Sequence, residues 1–295
     1  MAKYLIVNAD DFGMCRSANE AVFDLFRNGN LLSSTIMMPC PAAEDAVRFS
    51  VENPQYAIGV HTTLTSEWQN YRWKPLTMGP SLIDRDGFMW HSSRLVEKHA
   101  TDLDIENEIR AQIDLALSMG MNPSHIDNHM GSLYGNQTGR FALLKLAYRI
   151  CGEYGYAYRM FTKADKRVLP AGVPLFALKA AARLSEKWAD RFNVTALDYL
   201  LFPDWPDLER KGVDSFESYQ ETILGIWTNI PDGVTETFVH PSVESDELKS
   251  ITSRWMNRVW EYRLMKDPAT HKYLRDHGVI MINYRDLIRL KNDVK

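Results

Sequence analysis

A nearly continuous apolar run beginning at Tyr4 passes Asn8 and Ala9 and stops at two adjacent carboxylates, Asp10 and Asp11. A run of this length, containing β-branched residues and closed by a turn signal, reads as a buried strand whose C-terminal end carries both acids. In parallel α/β folds that end is where chemistry collects. One of the two could cap the following helix, but a cap needs a single carboxylate and helical spacing begins only near Arg16.

The pattern repeats beyond Gly13. Ser17 to Asn28 carries apolar residues at helical spacing and Gly29 supplies a stop. Ser33 to Met38 reads as a second strand ended by Pro39 and Pro41, Ala42 to Val51 as a helix, and Tyr56 to Val60 as a third strand delivering His61. Strands alternating with crossover helices imply a parallel sheet with every strand running the same way, so the fold class is α/β. Further along, Leu103 to Met119 and Arg140 to Glu153 are helical, Ser124 to Asp127 and Gly155 to Arg159 are strand ends, and Val234 to His240 is strand-like. A helix over Glu247 to Tyr262 and a last strand over Gly278 to Asn283 close the chain. A chain of 295 residues suits one (β/α) barrel of roughly 250 residues with elaborations, and the expectation is a single domain over residues 1–295.

Two stretches break the rhythm. From about 66 to 99 the chain is dense in Trp, Pro and Gly, the mark of an irregular loop that walls or covers a site. Its Trp68, Trp73 and Trp90 either stack on sugar rings or pack the loop against the body, the second being the commoner fate. From about 163 to 194 an Ala-rich, basic, mostly helical stretch reads as an excursion from the barrel, because no Gly, Ser or Pro linker flanks it.

Bulk composition excludes several classes. The formal net charge of -4 gives no footprint for nucleic acid or an anionic membrane surface, so the expected partner is small or neutral. Cys15, Cys40 and Cys151 are widely spaced and form no CxxC pair, which argues against a disulfide framework or a structural zinc cluster. The apolar run before Asn8 is too short for a signal-peptide core and no window approaches a membrane span, so the expected location is the cytoplasm. The oligomeric state stays open, a homodimer included.

At the ends of successive strands stand Asp10 and Asp11, then His61, then His125, Asp127 and His129, then Arg159, then His240. A closed α/β sheet brings these onto one rim. Carboxylate oxygen with imidazole nitrogen is a ligand set for a divalent ion, and one Asp with two His leaves a coordination position open for chemistry. In the segment from His125 to His129, i,i+4 spacing on a helix and a period of two on a strand both keep the two imidazoles near the site, so either one or both are available as ligands.

The motifs Asn8-Ala9-Asp10-Asp11-Phe12-Gly13, Gly59-Val60-His61, His125-Ile126-Asp127-Asn128-His129 and Val239-His240-Pro241 resemble the signature of the YdjC/ChbG group of carbohydrate deacetylases, in the same order over nearly the whole length. The resemblance implies a distorted (β/α) barrel and a metal-dependent hydrolase that removes acetyl groups from N-acetylated sugars, chitooligosaccharides among them. It implies Asp11, His61 and His125 as ligands of a divalent metal, magnesium or zinc, and Asp10 as the catalytic carboxylate. The chain departs from the group at Gly131, where members commonly carry a further histidine, and in the length of the helical excursion; both bear on the sugar cleft.

On this reading Asp10 is the general base, His240 protonates the leaving amine, and Asp127, His129 and Arg159 bind substrate or orient the ligands. Two other functions compete with it. A metal-dependent phosphoesterase would want a glycine-rich phosphate cradle or a basic cluster, and neither accompanies these residues. A catalytically silent sugar-binding protein would have no need of an open metal site.

Overall fold

The computed structural model describes residues 2–202 and 205–293. The first half of the chain runs β1 (Lys3–Phe12), α1 (Arg16–Arg27), β2 (Ser33–Ile36), α2 (Ala43–Glu52), β3 (Ala57–Thr62), α3 (Ser93–His99), α4 (Asp102–Ser118), β4 (His125–Asn128), α5 (Ala142–Tyr154) and β5 (Ala157–Phe161). The second half runs α6 (Leu175–Phe192), β6 (Ala196–Leu197), β7 (Tyr199–Leu200), α7 (Trp205–Arg210), α8 (Phe216–Thr228), β8 (Gly233–Val239), α9 (Asp246–Ile251), α10 (Trp255–Lys266), α11 (Pro268–Asp276), β9 (Val279–Met281) and α12 (Tyr284–Asn292).

Every strand pair is parallel, and the order β6-β5-β4-β3-β2-β1-β8-β7 almost closes on itself. Closure runs through the short stretch that holds β6 and β7, which are separated only by Asp198: β6 pairs with β5 and β7 with β8. The last strand, β9, pairs with the first three residues of β1, and β2 pairs with β1 only from Asn8 onward. The α/β barrel expected from strand and helix alternation is the architecture observed. Among the described residues, no helix is long and apolar enough to cross a membrane.

The strands are buried on both faces, as parallel strands covered by helices must be. One face of β1 places Leu5, Val7 and Ala9 in the apolar core. Asn8 and Asp10, on the alternate positions, meet a buried polar interior formed with Ser33, Thr35, Asp127, Arg159 and Glu236. Such an interior survives only if its polar groups satisfy one another.

Two elements differ from the sequence-based expectation. The helix expected over Glu247 to Tyr262 is two helices, because Thr252, with φ −140° and ψ 139°, takes extended backbone that no helix accommodates. The stretch 66–99 ends in the helix α3. Its tryptophans pack the loop: Trp73 is buried and its indole N–H donates to the Thr65 carbonyl at 2.8 Å, while Trp90 donates to the Ser81 carbonyl at 2.9 Å.

Candidate metal centre and catalytic cavity

In a regular strand neighbouring residues point to opposite faces, so Asp10 and Asp11 should diverge. They do not, because Asp11 takes a left-handed backbone conformation with φ 61° and the pairing of β1 with β2 slips by one residue between Ala9 and Phe12. A non-glycine residue held in that region costs energy and is enriched at functional sites; Asp tolerates it better than most. Both carboxylates consequently approach the same atom, His61 Nε2, at 3.9 Å for Asp10 Oδ2 and 3.5 Å for Asp11 Oδ1.

The third member comes from beyond the end of β4. His129 Nδ1 lies 3.2 Å from Asp11 Oδ1, and its ring meets that of His61 edge-on with centroids 5.3 Å apart. Asp11, His61 and His129 are all buried, and one ligand atom from each lies within 4.8 Å of the others. A second close group, Asp10, His61 and Asp127, shares His61 with the first.

His125, expected beside Asp11 and His61, stands elsewhere. Register explains this: β3 and β4 pair His61 with Asp127, so His125 lies two residues deeper in the barrel, about 6.6 Å at the rise of a strand. There its ring stacks on Tyr284 with centroids 3.5 Å apart, and Nδ1 bonds the Ser124 hydroxyl at 2.9 Å. Burial, reinforced by the nearby Arg159 cation, holds its pKa well below the ordinary histidine value. The backbone of Gly59 crosses directly beside it, since a Cβ there would sit 2.3 Å from the His125 carbonyl oxygen. His125 is thus a packed, neutral interior residue.

Each imidazole of the cluster is aimed by a carboxylate. His61 Nδ1 donates to Asp127 Oδ1 at 2.6 Å, which leaves Nε2 facing Asp11; His129 Nε2 donates to Glu67 Oε2 at 3.0 Å, which leaves Nδ1 facing Asp11. Asp127 is fixed in turn by the Thr35 hydroxyl at 2.8 Å and by Arg159 at 2.9 Å. Burial opposes charge on both rings, but Asp127 and Asp10 raise His61 to about 9, and Glu67 and Asp11 raise His129 to about 10.

Arg159 is the hub of the interior. Its fork grips both oxygens of Asp10 at 2.6 Å, and Nε donates to Glu236 Oε1 at 2.6 Å. Glu236 also accepts from the Tyr284 hydroxyl. Burial works against the charge on Asp10, yet Arg159 and His61 hold its carboxyl down to about 2. Burial pushes Glu236 up to about 7 despite the Arg159 cation.

Arg258, on α10, donates to Asp11 Oδ2 at 2.7 Å and lies over the Trp68 ring at 5.5 Å. Burial resists ionisation of Asp11, but Arg258 and His129 keep it well below the usual carboxylate range. With Oδ2 satisfied in this way, Asp11 Oδ1 is left buried without a hydrogen bond, faced by two imidazole nitrogens. His240 follows β8, with its backbone N–H donating to Glu261 Oε2 at 2.6 Å and Nδ1 3.7 Å from the same oxygen. Burial lowers its pKa, but the bond to Glu261 and the charge of Asp11 raise it above the ordinary value overall.

Asp10, Asp11, His61, His129, Arg159 and His240 line one cavity of about 350 Å³, with Glu67, Tyr134 and Phe238 among its walls. Of the residues singled out in the sequence, only His125 and Asp127 are absent from that lining, and Asp127 reaches it through His61. Glu67, Glu236, Glu261 and Arg258 were not anticipated. Glu236 had a visible signal, a charge in the middle of a strand-like run that can persist only if paired. The loop 66–99 reads as a wall of a site without Glu67 being singled out in it, and Arg258 had no signal, since α10 meets the site only through the fold.

A family model described as YdjC-like protein matches residues 4–276. A carbohydrate deacetylase of Geobacillus stearothermophilus is 29% identical over 292 residues, covering 98% of this chain and 100% of that protein. A chitooligosaccharide deacetylase of Yersinia enterocolitica is 35% identical over 134 residues, 44% of this chain and 50% of the other. Among solved structures, a protein of Enterococcus faecalis V583 proposed to cleave cellobiose phosphate superposes with a TM-score of 0.73 at 25% identity, covering 97% of this chain and 99% of that one.

Proposed function

This chain belongs to the YdjC-like protein family, and from that premise we propose that it is a metal-dependent hydrolase that removes acetyl groups from N-acetylated sugars or short oligosaccharides. The observation that carries the proposal is Asp11 Oδ1, a buried carboxylate oxygen with no hydrogen bond, faced by His61 Nε2 and His129 Nδ1. Two imidazole nitrogens converge on this one buried oxygen without a well-formed hydrogen bond, and a divalent cation among the three atoms satisfies them together. Carboxylate and imidazole donors with carboxylates behind them fit such an ion, and two nitrogens favour zinc over magnesium, which prefers oxygen.

Asp11, His61 and His129 would hold the metal. Once bound, it supplies Lewis acidity toward the acetamide and a water acidified toward neutrality. The remaining steps belong to the chain. Asp10 is held ionised by the Arg159 fork and accepts a proton transiently at the cavity floor. His240, its pKa raised above the ordinary histidine value, delivers a proton to the departing amine nitrogen, Glu261 fixing its backbone and steadying its charge. Asp127 locks the His61 tautomer and Glu67 locks that of His129. The cavity is sized for a sugar unit, and its two guanidiniums are each paired with a carboxylate, Arg159 with Asp10 and Arg258 with Asp11. The location we propose is the cytoplasm.

The test is acetate release from N-acetylated oligosaccharides with and without chelator, in the wild type and Asp10→Asn. The expected result is chelator-sensitive release and a loss of kcat of about 10²- to 10⁴-fold in the variant with metal still bound. Release indifferent to chelator would overturn the metal assignment. Full activity in Asp10→Asn would remove Asp10 from proton transfer.

A further inference from the structure

The catalytic cavity adjoins a second one at Tyr134. Tyr134, Asn136 and Phe202 line it and also line this second cavity, of about 370 Å³. The second cavity lies beyond Arg159, walled by Met160 and Phe161 of β5, by Leu144 of α5, and by Leu178, Ala181 and Leu184 of α6. Phe141 lines it half exposed. The helix that closes this space is the excursion by which the chain departs from a minimal barrel.

Chemistry separates the two cavities. The first presents carboxylates, imidazoles and two guanidiniums, whereas among the described residues the only polar side chains lining the second are those of Tyr134 and Asn136 at the junction. A sugar ring placed in the second would bury several hydroxyls without partners, each at a cost of about 1–3 kcal/mol. An apolar group there loses nothing and gains the burial. The junction itself depends on Gly131: a Cβ at that residue, where φ is 64°, would lie 3.0 Å from the Tyr134 ring. The small residue and the tyrosine therefore go together, and a larger side chain at 131 would push the ring that stands between the cavities.

Resting on the deacetylase reading of the catalytic cavity, we infer that the substrate is an N-acetylated sugar carrying an apolar aglycone, an alkyl or aryl group, which occupies the cavity between α5, β5 and α6 while the acetamide lies at Asp11, His61 and His129. The walls shared at Tyr134, Asn136 and Phe202 put the occupant next to the reacting sugar, as part of the same molecule and not a separate partner.

The test compares methyl, butyl and hexyl β-glycosides of N-acetylglucosamine in the metal-loaded protein, as kcat/KM for acetate release. The expected rise from methyl to hexyl is about tenfold or more, a part of the roughly fourfold per methylene that full burial would give. Ala181→Phe, which fills the cavity, flattens that ratio. A wild-type ratio near one overturns the inference and leaves the deacetylase reading standing, as does a ratio that rises but is untouched by Ala181→Phe. Should the variant not fold, the wild-type series decides alone. If no glycoside releases acetate, calorimetric binding of the methyl and hexyl compounds separates the two ideas. Tighter hexyl binding keeps the apolar cavity and ends the deacetylase reading for these sugars; equal binding ends both.

Discussion

His129 Nδ1 stands 3.2 Å from Asp11 Oδ1, while His125, four residues earlier in the same segment, stacks face to face on Tyr284 inside the barrel. The two histidines therefore have separable roles. His129→Ala should lose metal affinity by about 100-fold or more, since it removes one of the three proposed ligands and exceeds the loss expected from a supporting residue. His125→Ala should keep its metal and instead lose about 2–4 kcal/mol of stability, because it empties a packed interior position. Metal content after dialysis and urea unfolding, measured on both variants, check the split. Metal loss in His125→Ala with none in His129→Ala would reverse the assignment.

Metal binding should release protons. With His61 raised to about 9 and His129 to about 10 by their carboxylate neighbours, both rings are protonated at neutral pH before the metal arrives. A ligating imidazole must give up the proton from the coordinating nitrogen. Apparent affinity for zinc should consequently climb as pH rises from about 6 toward 9, with about two protons displaced per ion. Calorimetric titration in two buffers of different ionisation enthalpy reads that number directly. A heat independent of buffer would contradict it.

The alkaline side of the rate profile should belong to His240. A raised pKa means that the protonated form persists above the ordinary histidine value and is lost as pH rises through the raised one. As general acid, His240 then sets a fall in kcat at alkaline pH. Glu261→Gln removes a charge that stabilises the imidazolium, so this fall should move to lower pH, whereas His240→Asn should lower kcat and abolish the fall. A profile identical in wild type and Glu261→Gln would show that another group carries the proton.

The barrel was legible in the sequence because strands such as β1, β3 and β8 announce themselves twice, by an apolar run and by the polar residue that ends it. Asp10, Asp11, His61 and Arg159 stood at those ends and meet in one cavity. What the sequence left open was depth. Residues 125, 127 and 129 share a strand face by their period of two, but only the pairing of Asp127 with His61 fixes which of them reaches Asp11, and register arises between strands. The parallel aim of Asp10 and Asp11 was equally hidden, because it depends on one left-handed residue and a slipped register where regular alternation predicts divergence. The stretch 66–99 was legible as a wall of a site, but nothing in it singled out Glu67, and nothing in α10 singled out Arg258; only the folded chain brings them to His129 and Asp11.

Arg159 provides the strongest test that the interior is one network. Its buried guanidinium neutralises Asp10, Asp127 and Glu236 at once, with contacts of 2.6, 2.9 and 2.6 Å. Replacing it by methionine preserves much of the volume but leaves three buried carboxyls without their shared cation, so Arg159→Met should lose about 3–5 kcal/mol at neutral pH. Removing the cation also removes a force that holds Asp10 down to about 2, so its pKa should rise. The loss should shrink as pH falls and Glu236 and Asp10 take up protons, because a protonated carboxyl no longer needs the cation. Glu236, already pushed up to about 7, should be the first to do so. Urea unfolding of wild type and variant across pH 5 to 8 measures this, with the gap in stability widening as pH rises. A gap that stays constant across that range would mean that Arg159 acts through packing alone.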